Sequence, residues 1–226
     1  MTARLVCAVL VLAASGCATT GTHPHDMSAA EHERAAKREE RAAEHHQAQF
    51  DPDAWTTDSG GCSSYCFDTW SNPTSEHARE ARRHRTLAAK HRKASQALRD
   101  TEASSCVGIP ERDRDVSPFF HVHDVEKVEL VAEDAASATY LISFSEVAGL
   151  NASAMQKLLD CHLARNAVLG HEVAEMEYCP LVPRDVEATV EPSESGLRVR
   201  IEVRGETSVA AVRDRVRQLE ARLVAR

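Results

Sequence analysis

Beyond residue 124 the spacing of apolar residues switches from every second position to every third or fourth, and it does so twice. A period of two builds one face of a strand, whereas a spacing of three and four builds a stripe along a helix. Residues 125–132 and 137–145 therefore read as strands, the second placing Ala138, Tyr140, Ile142 and Phe144 on one face, and 152–169 reads as a helix. Residues 186–191 and 197–204 repeat the strand pattern, with Leu197, Val199, Ile201 and Val203 inward and Arg198, Arg200, Glu202 and Arg204 outward. A last helix carries Val209, Val212, Val216, Leu219 and Leu223. Each half thus offers one apolar sheet face and one apolar helix stripe, and these bury best as one four-stranded sheet with both helices on the same side. The expectation is a ββαββα two-layer α+β sandwich over 125–226. The parallel course of ATYLISFSEVAGLNASAMQKLLDCHL and LRVRIEVRGETSVAAVRDRVRQL suggests an internal duplication.

The first half has a different texture. From Met27 to Gln49 there is no Gly or Pro, and Ala29, Ala30, Ala35, Ala36, Ala42 and Ala43 recur at near-heptad spacing among charged residues. That is a helix with a narrow alanine seam. Residues 51–73 are rich in Gly, Ser, Asn and Pro and read as a loop; Thr74 or Ser75 then caps a second helix running to about 104. Residues 27–104 should form an antiparallel helical hairpin, joined to the sandwich by a connector over 105–124. His77, His84 and His91 share a helix face, but two turns separate neighbours by about 10 Å, too far to ligate one metal. They read as packing or surface histidines.

The second helix also bears Arg79, Arg82, Arg83, Arg85, Lys90, Arg92 and Lys93. Two readings follow: contact with lipid phosphates or an anionic envelope polymer, or a solvated face paired with the acidic stretch 111–200, which holds 17 acidic and 8 basic residues. The second is favoured. A net charge of -8 argues against nucleic acid as a partner, and 4% aromatic residues leave few rings for a sugar or base platform.

Residues 1–16 have a positive charge at Arg4, an apolar run of about ten residues from Leu5 to Ala14, and small residues before Cys17. A span needs roughly 20 apolar residues, so this is an export signal. Ala14-Ser15-Gly16-Cys17 resembles the lipobox of bacterial lipoproteins, although Ala14 stands where that pattern prefers Leu. The resemblance implies cleavage before Cys17, acylation of its sulfur, and an outer-membrane anchor facing the periplasm, with 17–26 as a tether. CVGIPERDRDVSPF, CHLARNAVLGH and YCPL together also resemble segments of bacterial envelope lipoproteins, a likeness that brings no activity with it.

Hydrolase, P-loop, dinucleotide-binding and zincin signatures are missing from the sequence. An exported chain meets an oxidising compartment, and five cysteines remain after Cys7 and Cys17 are set aside. Cys62 with Cys66, and Cys161 with Cys179, are the expected disulfides, leaving Cys106 over. Alternatively Cys161, His162, His171 and Cys179 could hold Cu or Zn, since thiolates and imidazoles suit those ions. His162 and Asn166 fall near the centre of the apolar face of their helix and Cys161 toward its edge, which favours a buried His–Asn pair bonding loop carbonyls. The function these features favour is a non-enzymatic binding or scaffold module of the envelope, with soft-metal binding as the alternative and no resident cofactor.

Overall fold

The structure, a computed structural model, describes residues 21–58, 69–193 and 196–225. The signal segment, Cys17, Cys62 and Cys66 lie outside the described residues, and so does the expected Cys62–Cys66 bond. Among the described residues four α-helices and a four-stranded antiparallel sheet make up an α+β fold, with the helical hairpin ahead of the sheet in the chain.

Helix α1 spans Ala29–Gln49 and α2 spans Ser75–Ser105. Ser28 and Glu31 start α1 with a reciprocal capping box: Ser28 Oγ accepts from the Glu31 amide, and the Glu31 carboxylate accepts from the Ser28 amide. Thr74 occupies the cap position of α2, but its hydroxyl is spent elsewhere. It donates to the Asp51 carbonyl and accepts from the Asp51 amide, both at 3.0 Å, and so ties the two ends of the connecting segment together. Short strands β1 (Thr56–Asp58) and β2 (Thr69–Ser71) pair there, in a stretch whose composition reads as loop.

Between the helices the seam is alanine and histidine. Ala29, Ala36 and Ala43 of α1 face a row of Ala81, Ala88 and Ser95 on α2, all buried. Stepping by seven from His32 leads to Glu39 and His46; stepping back by seven from His91 leads to His84 and His77. Each step meets its opposite: His32 Nδ1 lies 3.1 Å from His91 Nδ1, Glu39 Oε2 lies 2.6 Å from His84 Nδ1, and His46 Nδ1 lies 3.2 Å from His77 Nδ1. Small alanines let the backbones approach closely enough for these polar rungs to touch. Four of the six α2 arginines pair with carboxylates inside the hairpin, Arg92 with Glu40 and Arg99 with Glu33 across it, Arg79 with Glu76 and Arg83 with Glu80 along it. For Arg79, Arg83 and Arg92 this corrects the expectation that the basic face is matched by the acidic second half: carboxylates three residues away or across the seam are simply nearer.

In the second half β3 (Val125–Glu133), β4 (Ser137–Ser145), β5 (Val186–Ser193) and β6 (Gly196–Arg204) lie in the order β3-β4-β6-β5, every pair antiparallel. Register places Ala138 beside Val203, Tyr140 beside Ile201, Ile142 beside Val199 and Phe144 beside Leu197. These eight side chains form one buried face. Helices α3 (Ala152–Leu169) and α4 (Glu206–Val224) cover it with Met155, Leu159, Val209, Val212, Val216 and Leu219, in a single core cluster. Equivalent strands of the two ββα units, β4 and β6, sit side by side and run opposite ways, the arrangement that a local two-fold produces.

Helix α3 is where the hairpin meets the sandwich. Asn151 caps its start by accepting from the Ala154 amide, and Gly170 ends it in a left-handed conformation, φ +81°. Any Cβ at Gly170 would also stand 2.9 Å from Ser28 Cβ, so glycine is needed both for the turn and for the close approach of α1.

Candidate ligand pocket beside the Cys106–Cys161 disulfide

Consecutive residues on a helix point about 100° apart, and on α3 this separates Cys161 from His162. Cys161 faces the end of α2 and is disulfide-bonded to Cys106. The expected Cys161–Cys179 bond is therefore corrected, and Cys179 is a free, fully buried thiol. Cysteine spacing favoured the nearer partner. The actual partner is Cys106, which α2 carries to the α3 surface along with Ile109.

One turn after Cys161, Arg165 reinforces the same junction. Its guanidinium donates to both carboxylate oxygens of Asp115, at 2.7 and 3.4 Å, and to Glu102 of α2 at 3.1 Å. Asp115 belongs to the ERDRD segment, whose charges pin the connector, as its composition suggests.

His162 points the other way, into the sandwich. Its Nε2 lies 3.3 Å from Cys179 Sγ, and Asn166 one turn later donates to the Leu181 carbonyl at 3.2 Å. His171 Nδ1 donates to the Val182 carbonyl at 2.8 Å. The segment after α3 is thus held by side-chain bonds to its backbone rather than by a disulfide. The four-ligand metal set does not assemble: Cys161 is committed to a disulfide, and His171 faces a carbonyl. Among the described residues no group of three metal-ligating side chains is placed to hold an ion. That His162 and Asn166 would both be buried, with Asn166 on a loop carbonyl, was legible; that His162 would meet the Cys179 sulfur instead of a loop carbonyl was not.

Burial dictates the chemistry of this dyad. It lowers the His162 imidazole to about 4, against the opposing pull of the Arg114 backbone and Asp115. It also raises the Cys179 thiol to about 11, against hydrogen bonds from Ser117 and the Leu181 backbone. At neutral pH both groups are uncharged, S–H facing N, and the thiol lacks the electropositive, exposed surroundings that make a nucleophile.

His162 lines a cavity of about 500 Å³. Phe120, Phe144, Leu150, Met155 and Leu158 give it apolar walls, with Asp113, Arg114 and His121 as further polar groups. His162 is only 2% exposed, and its Nδ1 is buried without a hydrogen-bond partner. Because the Cys179 thiol donates to Nε2, Nδ1 carries the imidazole proton and is a donor without a close partner, its nearest polar neighbour being the backbone of Arg114, a residue of the cavity wall. A larger cleft of about 830 Å³ lies between α2, α3 and the sheet edge. There His171 and Arg184 already bond backbone carbonyls, Arg184 those of His25 and Gly170.

Among the described residues no helix is long and apolar enough to cross a membrane. The chain matches no protein-family model, no curated protein and no solved structure.

Proposed function

We propose that this chain is a lipid-anchored protein of the bacterial cell envelope, and a binding module rather than an enzyme. Its ligand is a small, mainly apolar molecule that offers one polar group to His162. The observation that carries the reading is the apolar cavity with a single buried imidazole nitrogen left unpartnered. Ligand pockets are mostly apolar, with few but well-placed polar groups, and an unmade hydrogen bond in such surroundings costs about 1–3 kcal/mol until something fills it. The neutral Cys179–His162 pair supports binding over nucleophilic catalysis. The lipobox-like Ala14-Ser15-Gly16-Cys17 supports the anchor. Displacement of 1-aminoanthracene by medium-chain fatty acids and alcohols tests the pocket. Saturable binding, weakened at least tenfold by Leu158→Trp, is expected; binding indifferent to that substitution overturns the reading.

A further inference from the structure

The hairpin carries a second place where chemistry is concentrated, far from the pocket in sequence. At the rung nearest the β1–β2 ribbon, His46 of α1 and His77 of α2 bring their Nδ1 atoms to 3.2 Å. Both residues are half-buried, so the rung touches both the seam and solvent. A neutral imidazole carries one N–H and one lone pair, so a shared proton holds this pair together. That proton marks a point toward which two nitrogen lone pairs can be directed.

We propose that His46 and His77 bind a borderline divalent cation, Zn2+ or Cu2+, in place of that proton. Zinc–imidazole bonds of about 2.0–2.1 Å around a tetrahedral centre put two nitrogens about 3.3 Å apart, so the rung is already at the bite a metal requires. The neighbouring rung steadies it. His84 donates Nδ1–H to Glu39 at 2.6 Å, and its ring stacks on His46 with centroids 5.4 Å apart and planes 14° from parallel. A carboxylate thereby orients one imidazole, which in turn packs against a ligand, and such outer support fixes ring orientation at metal sites. No third metal-ligating side chain among the described residues completes the shell. Water reaches the half-buried rung and fills the remaining positions. His32 and His91 share the spacing but not the access: at 0% and 4% exposure they leave no route for the waters that a two-ligand site needs. Histidines seven apart on one helix cannot share an ion; the antiparallel helix supplies the second ligand of each pair.

The test uses the full chain, stripped with chelator and titrated with Zn2+ by equilibrium dialysis and elemental analysis. One saturable equivalent is expected. His46→Gln and His77→Gln should each weaken it at least tenfold, and Cys179→Ala should leave it unchanged. Helix content by circular dichroism accompanies each variant, because each removes a rung. Independently of any variant, diethyl pyrocarbonate labelling with and without Zn2+ should show His46 and His77 protected by the ion and His121 and His123 equally reactive. Absence of saturable binding, binding retained by both glutamine variants, or protection at other histidines overturns the assignment.

Discussion

His32 and His91 meet through their Nδ1 atoms at 3.1 Å, buried at the end of the hairpin seam where α1 begins, and His32 Nε2 lies 3.2 Å from the Pro24 carbonyl. A carbonyl can only accept, so Nε2 of His32 carries the proton and Nδ1 receives one from His91. His32 must then be neutral, since its Nδ1 accepts, whereas His91 donates from Nδ1 and it is burial that disfavours a charge on it. His91 is held below the ordinary imidazole value, first by burial and then by His32, with Arg38 adding to the effect while Glu39 and Asp26 oppose it.

Acid should therefore loosen the hairpin. A folded-state value below the unfolded one means that the unfolded chain takes the proton first. The rung's stability is complete above about pH 6.5 and falls as the pH drops through the unfolded histidine range. Replacing both partners with leucine, His32→Leu with His91→Leu, should cost about 1 kcal/mol at pH 7, since neither ring nitrogen of the pair is orphaned and only the part-buried Pro24 carbonyl loses its donor. It should also flatten the acid limb of a circular dichroism titration between pH 8 and 5. An acid limb as steep as the wild type's would count against the rung.

The Cys106–Cys161 bond joins residues 55 positions apart. Closing a loop of that length is worth about 4 kcal/mol in the chain-entropy model, and here it also locks α2 to α3. The double variant Cys106→Ser with Cys161→Ser should lose stability of that order in urea melts. Peptide mapping without reduction should recover the Cys106–Cys161 linkage, and Cys179 should alkylate only after denaturation.

Several of these features could be read from the sequence and others could not, for identifiable reasons. Alternation in 137–145 and 197–204 named the eight side chains of the buried sheet face, because a period of two leaves no choice of face. The boundaries of α1 and α2 were legible from the absence of Gly and Pro and the loop composition between them. Pairings across the hairpin were not, because register depends on the connecting segment: His77, His84 and His91 looked isolated until α1 placed His46, Glu39 and His32 opposite them. The partner of Cys161 was missed likewise, since nearness in sequence carries little information about which face of α3 a cysteine occupies. The pocket was invisible from sequence, being built from the connector, β4 and α3 together.

The anchor makes its own prediction. Cys17→Ser should move the protein from the membrane to the soluble fraction, because acyl chains supply the membrane affinity and no helix among the described residues is long and apolar enough to cross a membrane. If the variant, with its signal cleaved, still sediments with membranes in high salt, the lipoprotein reading fails.

His162 should dominate the acid sensitivity of the sandwich. Burial places its imidazole near 4, while the same side chain in the unfolded chain titrates at about 6.5. Between those values the unfolded state binds a proton that the folded state refuses. Stability is thus full above about pH 6.5 and declines as pH falls toward 4, by about 3 kcal/mol from this group alone. His91 and His171 are also lowered by burial and push in the same direction, so the comparison must be made against a variant. His162→Leu keeps a side chain of similar bulk against Cys179 and removes the titrating group. Its urea-melt stability should match the wild type within about 1 kcal/mol at pH 7, since only a weak thiol donor loses its acceptor, and should exceed it by about 2–3 kcal/mol at pH 4. Parallel losses in the two proteins between pH 7 and 4 would show that the buried imidazole is not what acid attacks.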